Sequence, residues 1–343
     1  MLRRIFDHTA LTETEFRCRY RLSNQAFQFL CEELEAKTTL RGTERMSLQH
    51  KVLCALSFYA TGSYQRAVGM GKHVGQTTIS KYVTEVTNAL TCPDLVNSHI
   101  HFPTTTQERI DTKKKFYTKF GMSGVLGCVD GSHFHILKPN KNVEHLFFCR
   151  KNFHSLNVQV VCDSDCKIIS INPKYGGATH DAFVWENSKV RQFVENLYNT
   201  GEQGWLLGDS GYPQRPWLMT PIADAAEESP EAKYNRIHGK ARVLIENTFG
   251  RLKNQWRCLS KDRTLHYTPE KSAKIITACA VLYNIAIDFL VPLPEVVDNQ
   301  GSEVVPGASA AMPVDRPREA TQDLVLGRAT RRALVERLNA LHR

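Results

Sequence analysis

The chain has 343 residues, 42% of them apolar, with a formal net charge of +9 and a pI near 9.0, which excludes a disordered polyelectrolyte and points to an anionic partner. No apolar stretch approaches the about 18 residues of a membrane span, and the polar start Met1-Leu-Arg-Arg-Ile-Phe-Asp-His8 does not read as a signal peptide. Ten cysteines, several in apolar segments such as Cys31, Cys54, Cys128 and Cys279, read as free thiols of a reducing compartment rather than as a disulfide framework, so a soluble intracellular protein is expected.

Residues 1–100 read as a helical module. Ser23 is placed to cap a helix carrying Phe27, Leu30, Cys31 and Leu34 at i, i+3, i+4 and i+7, and Ser47 another with Val52, Leu53 and Leu56 inward. Tyr64 to Met70, a turn containing Gly71, and Gln76 to Leu90 then read as a helix-turn-helix whose packed face is Val74, Ile79, Val83, Val86 and Leu90. Gln76, Thr77, Thr78, Ser80 and Lys81 open the second helix, where a recognition helix sets side chains on bases or phosphates; a purely structural bundle is the alternative. Thr112-Lys-Lys-Lys-Phe-Tyr-Thr-Lys119 is basic with interleaved aromatics, suited to phosphates or to solvent at a domain junction.

Two short apolar runs follow, Gly124-Val-Leu-Gly-Cys-Val-Asp130 and Trp205-Leu-Leu-Gly-Asp209, with the pattern of buried parallel-type strands, each delivering a carboxylate where the strand meets solvent. Between them His133 and His135 alternate with Phe134 and so share one face of an extended segment, fitting either metal ligation or a polar sheet margin. Arg150-Lys151-Asn152 precedes a hairpin of Asn157–Cys162 and Lys167–Asn172 turning at Asp163-Ser-Asp165; Cys162 and Cys166 bracket the turn without the second pair that a zinc site needs. Asp181 to Asn199 reads as a helix, with Asp181 as its N-cap or as a metal ligand, and the polar stretch Thr220 to Gly239 reads as a loop near the site.

From Ala241 to Trp256 the residues Ile245, Phe249, Leu252 and Trp256 recur at helical spacing as a buried stripe. Glu246 lies on an adjoining stripe with Arg242, Gly250 and Lys253, which suits a phosphate backbone lying across the helix or, equally, surface salt bridges. Val291 to Pro317 is rich in Pro, Gly, Ala and Ser and reads as a linker; residues 318–343 form a basic helical tail with Leu334, Leu338 and Leu341 on one side and Arg331, Arg332 and Arg337 outside.

Acids at strand ends are expensive as structure. Carboxylates converging in one cleft repel one another unless a divalent cation neutralises them, and hard oxygen ligands in that number suit Mg²⁺ or Mn²⁺. Two other chemistries fit parts of the same residues. Gly208-Asp-Ser-Gly211 could serve a serine protease, but Tyr212 stands where the next glycine belongs and no Ala-Ala-His-Cys segment precedes it; Val129-Asp-Gly-Ser132 lacks the second Asp of an aspartyl-phosphate phosphatase.

Taken in order, Val129-Asp130-Gly-Ser-His, Gly176-Gly-Ala-Thr-His-Asp181, Leu207-Gly-Asp209-Ser-Gly-Tyr-Pro213 and Ile245-Glu246-Asn-Thr-Phe-Gly-Arg251 resemble the motifs of the PIF/Harbinger superfamily of DDE transposases, which includes the harbinger transposase-derived nucleases. Leu218-Met-Thr-Pro221 and Ala278-Cys-Ala-Val-Leu-Tyr-Asn284 fit it too, so the resemblance runs from about Leu22 to about Phe289. It implies an RNase H-like α/β catalytic domain at 101–290 behind the N-terminal all-α module, and a metal-binding catalytic triad of Asp130, Asp209 and Glu246, separated by 78 and 36 residues, with Asp181 as a fourth acid. The expected activity is cleavage of double-stranded DNA at terminal inverted repeats and transfer of the 3′ ends to target DNA. In that scheme Asp130 bridges two ions about 3.5 to 4 Å apart, Asp209 and Glu246 hold one each, and Lys151 and Arg242 clamp phosphate. The resemblance also implies a nuclear protein with a Myb-like accessory partner, and pairing of two ends makes a homodimer or higher oligomer the expectation. A domesticated nuclease or DNA-binding protein without transposition is the alternative.

Overall fold

The computed structural model describes residues 10–70, 74–293 and 319–340. Gly71, Leu341 and most of the expected linker lie outside them. Seven described helices precede the sheet: α1 (Glu13–Tyr20), α2 (Asn24–Lys37), α3 (Leu48–Thr61), α4 (Gln65–Met70), α5 (Gln76–Leu90), α6 (Pro93–His99) and α7 (Thr106–Phe120). The serine caps form as expected: Ser23 Oγ accepts from Ala26 N at 3.1 Å and Ser47 Oγ from His50 N at 3.3 Å.

Five strands follow, β1 (Val125–His135), β2 (Ser155–Cys162), β3 (Ile168–Gly176), β4 (Trp205–Leu207) and β5 (Leu218–Met219), in the order β3-β2-β1-β4-β5. The first three pair antiparallel, while β4 joins β1, and β5 joins β4, in parallel. On one face Trp185 from α8 (Asp181–Glu186) and Val190 and Val194 from α9 (Lys189–Asn199) pack against Val129, Val161 and Leu206. On the other lie α10 (Pro230–Gln255) and α11 (Pro269–Asp288), whose Ile245, Phe249, Ile275 and Leu282 join a buried cluster that also takes in Phe16, Leu56 and Val83 of the N-terminal helices. This mixed sheet between helices fits an RNase H-like α/β fold.

Four sequence expectations are corrected. Strand β1 does not stop at Asp130: β2 pairs with it from Cys128↔Cys162 to His135↔Ser155, whereas the parallel pairing with β4 ends at Cys128↔Leu207. Asp130 therefore stands just past the point where β1 loses its β4 neighbour. The helix expected over 181–199 is two, because Ser188 caps α9 by accepting from Arg191 N at 3.1 Å. The loop expected to Gly239 ends at Ser229, whose Oγ accepts from Ala232 N at 3.1 Å; Arg236 and Lys240 then face solvent while Tyr234, His238 and Ala241 are buried at i, i+4 and i+7. Lastly, α12 (Glu319–Ala340) seats Leu334 and Leu338 in the core, and its Arg331, expected outside, donates Nη1 to Pro221 O at 2.9 Å and Thr220 O at 3.1 Å. Gly327 permits that docking, since a Cβ there would lie 2.7 Å from the Arg215 carbonyl carbon.

Candidate active site

Strand β1 carries the first acid. On the face of β1 turned to α10, Asp130 and Ser132 lie between the core residues Cys128 and Phe134, and Asp130 Oδ1 accepts from Gly131 N at 2.8 Å. Asp209 lies two residues beyond the end of β4 and is half-buried, its Oδ1 accepting from Gly211 N at 2.9 Å. Parallel pairing thus delivers two carboxylates from distant stretches to the same end of the sheet.

Asp181 arrives from the opposite layer. The N-cap of α8 is His180, not Asp181, which corrects the capping alternative; the Asp181 carboxylate instead accepts from Asn157 Nδ2 at 2.7 Å. A side chain at Gly131 would collide with it, the Cβ meeting Asp181 Oδ1 at 2.1 Å, so the glycine after Asp130 is what lets the two acids approach. Burial raises the Asp130 carboxyl to about 7, with Asp209 and Asp181 adding to the rise and Arg242 opposing it. Asp181 is also raised, first by burial and then by Asp209, against its bond to Asn157. These three acids therefore feel one another's charge across a partly dry cleft.

Glu246 is held differently. Arg242, four residues earlier on α10, donates Nη1 to Asp130 Oδ2 at 2.9 Å and Nη2 to Glu246 Oε1, so one guanidinium joins the exposed glutamate to the half-buried aspartate. Lys253, expected on the same stripe, is turned inward: Nζ donates to Ser132 Oγ at 2.8 Å and His133 O at 3.2 Å and sits 4.6 Å from the Phe134 ring centroid. Burial, with Lys151 adding, lowers it to about 8.

Among the described residues no group of three or more His, Cys, Asp or Glu side chains is already arranged to hold a metal ion. The donor chemistry nevertheless fits a hard divalent cation. Asp130, Asp181 and Asp209 offer carboxylate oxygens in mutual repulsion, and Asn157 Oδ1, which would lie 3.0 Å from a Cβ at Gly131, is a buried oxygen without a hydrogen-bond partner among the described residues.

The remaining expected positions are dispersed. His133 and His135 do share a face, where both rings meet Phe153, stacked at 3.9 Å for His135 and edge-on at 6.0 Å for His133. Lys151 is exposed beside them. The basic stretch of α7 is largely neutralised within the protein, Lys113 by Glu202 at 2.8 Å and Lys115 by Asp165 at 3.1 Å, with Lys119 also on Asp165. At the start of α5, Gln76, Thr77 and Lys81 are exposed and Thr78 and Ser80 half-buried; Gly75 leaves the first turn without a side-chain cap. Gln76 and Ser80 line a groove shared with Tyr64, Arg263 and His266. Sequence reasoning missed Asn157 as a site residue and did not place Arg150, noted there as part of a basic segment, beside Asp181; the signal for Asn157 was a pair of polar residues, Asn157 and Gln159, inside a strand buried on both faces.

Comparison with known proteins places this cluster in a family context. A family model described as DDE superfamily endonuclease matches residues 129–284, a span holding Asp130, Asp181, Asp209 and Glu246. The protein named "Putative nuclease HARBI1" of Bos taurus is 36% identical over 275 residues, covering 78% of this chain and 76% of that protein. Its Mus musculus counterpart is 35% identical over 307 residues, covering 88% and 82%. "Protein ALP1-like" of Arabidopsis thaliana is 24% identical over 308 residues, covering 83% and 73%. No solved structure matches the chain.

Proposed function

Since the chain belongs to the PIF/Harbinger superfamily of DDE transposases and the nucleases derived from them, we propose that it is a divalent-metal-dependent DNA endonuclease that cuts phosphodiesters at transposon terminal inverted repeats and transfers the 3′ ends to target DNA. The observation that carries this reading is the meeting of Asp130, Asp181 and Asp209 at one end of the sheet, with Arg242 linking Asp130 to Glu246. Asp130, Asp209 and Glu246, with Asp181, would hold Mg²⁺ or Mn²⁺. Bound there, the cation supplies activation of the attacking oxygen and charge stabilisation on the leaving one.

The chain's own residues do the rest. Arg242, which here donates to Asp130 and Glu246, would offer an incoming phosphate a guanidinium fork beside Asp130. Lys151 adds exposed charge on the flank, and Lys253 holds β1 in place through Ser132 and the His133 carbonyl. Gln76, Thr77, Thr78, Ser80 and Lys81 at the open start of α5 would touch DNA away from the acids, in a helix-turn-helix role. Nuclear residence, a Myb-like accessory protein and assembly into a dimer or larger complex belong to the same reading.

A second reading, a domesticated nuclease or DNA-binding protein without transposition, is favoured by the relatives' names, which speak of a nuclease and, for another Arabidopsis thaliana protein 25% identical over 291 residues, of an antagonist of like heterochromatin protein 1. Plasmid nicking in Mg²⁺ separates an enzyme from a DNA-binding protein: as an enzyme, the wild type should nick, and its Asp130→Asn variant should bind DNA without nicking. Nicking by Asp130→Asn at the wild-type rate would remove the catalytic assignment. A donor with matching ends then separates strand transfer from simple cleavage.

A further inference from the structure

Between β1 and β2 the chain makes an excursion through residues 136–154 that is fastened down yet shows apolar side chains to solvent. Its backbone is tied to the neighbouring strand ends, Ala178 N donating to Leu146 O at 3.2 Å and Ser155 N to Phe147 O at 2.9 Å, and is closed on itself by Cys149 N donating to Phe153 O at 2.9 Å. Gly176 and Gly177 lie directly beneath it. A Cβ at Gly176 would sit 2.0 Å from Leu146 O, and one at Gly177 2.9 Å from Phe147 O, so the glycine pair lets this excursion close on the sheet.

Despite that anchoring, Leu146 and Phe148 are exposed on the excursion, and so is Phe183 (52%) on α8, two residues past Asp181 with its ring edge-on to Tyr175 at 6.0 Å. Fixed backbone that presents large apolar side chains marks a binding surface rather than a fraying loop. Charge identifies its occupant. The excursion's Glu144 is spent on Lys138 at 2.9 Å and His154 at 3.1 Å, whereas Arg150 and Lys151 at its tip are exposed and form no ion pair among the described residues. Aromatic rings beside unpaired cations, next to an acid of the cleft, match a nucleic-acid strand whose bases are unstacked.

We propose that this rim binds the unpaired nucleotides of a DNA strand adjoining the scissile phosphate, with Phe148 and Phe183 as stacking faces for bases and Arg150 and Lys151 as phosphate contacts. The proposal rests on the endonuclease reading and adds to it a preference for frayed or displaced strands.

The test is equilibrium binding in EDTA of two probes of equal length, a fully paired duplex and a duplex with an unpaired 3′ tail containing 2-aminopurine. The wild type should bind the tailed probe more tightly and quench its fluorescence. A double variant, Phe148→Ala with Phe183→Ala, should lose about tenfold in affinity for the tailed probe together with the quenching, and keep its affinity for the duplex. Phe183→Trp should retain the quenching, and matched unfolding midpoints would show that the variants fold. Equal loss on both probes, no loss on either, or conversion of a dimer to a monomer by the double variant would overturn the proposal, the last by making the rim a contact between copies of the chain. If neither probe binds the wild type, the endonuclease reading falls with it, whereas duplex binding without a tail preference removes the rim alone.

Discussion

Asn284 on α11 should carry an outsized share of stability, because its side chain acts as a missing neighbour for the edge strand β3. It is fully buried, accepts from Ile168 N at 2.9 Å, and donates Nδ2 to Ile168 O at 2.6 Å and to His99 O at 2.7 Å. Asn284→Ala deletes three hydrogen bonds and leaves three backbone groups unpaired in the interior. At about 1 to 2 kcal/mol each, counting the desolvation of the stranded groups, the loss comes to about 3 to 6 kcal/mol, a large part of the ~5 to 15 kcal/mol that holds a typical domain. Urea unfolding of the full chain, compared with Thr277→Ala on the same helix, measures it. The Thr277 hydroxyl donates to Ala273 O within α11 at 3.0 Å, a bond to one carbonyl of its own helix at a half-buried site, so its variant should fall by less than about 0.5 kcal/mol. A loss below about 1 kcal/mol for Asn284→Ala would refute the edge-strand argument.

Three further outcomes are expected. Glu202 is held at about 2, well under its ordinary 4.5, by Arg109 first and Lys113 second, so this bridge supports the fold above about pH 4.5 and that support fades as pH falls toward 2; acid titrations of the wild type and Glu202→Gln should differ by about 1 to 2 kcal/mol at neutral pH and converge in acid, and parallel curves would contradict it. Lys151→Ala should reduce the slope of log affinity against log salt for duplex DNA by about 0.9, while Lys253→Ala, engaged with Ser132 and the His133 carbonyl, should lower stability and leave the slope unchanged; equal slopes for wild type and Lys151→Ala would remove the phosphate contact. Leu334→Ala should cost about 2 to 5 kcal/mol by calorimetry or urea, as expected for a core leucine, and a neutral result would mean that α12 does not pack where it lies here.

Helix faces and strand runs were legible because each rests on local periodicity: Ile79, Val83, Val86 and Leu90 are all buried on α5, as are Ile245, Phe249, Leu252 and Trp256 at the end of α10. What local pattern could not show were tertiary overrides. Gly131-Ser-His reads as the polar end of a strand, yet pairing with β2 carries β1 on to His135. The segment 230–239 reads as loop by composition, but Ser229 caps it and Tyr234 finds Thr220 O at 3.0 Å. Three acids were noticeable in the sequence as costly residues at run ends and on a helix; that Arg242 ties one to another, and that Gly131 clears room for Asp181, depends on chain segments meeting from far apart.

Metal-specificity exchange at Asp209 tests the catalytic account most directly. Asp209 is half-buried and accepts from its own loop, so Asp209→Cys should fold, lose plasmid cleavage in Mg²⁺, and regain a measurable part of it in Mn²⁺, which tolerates a thiolate ligand better. Cleavage by Asp209→Cys in Mg²⁺ at the wild-type rate would contradict the assignment of this carboxylate to the metal and to the chemistry.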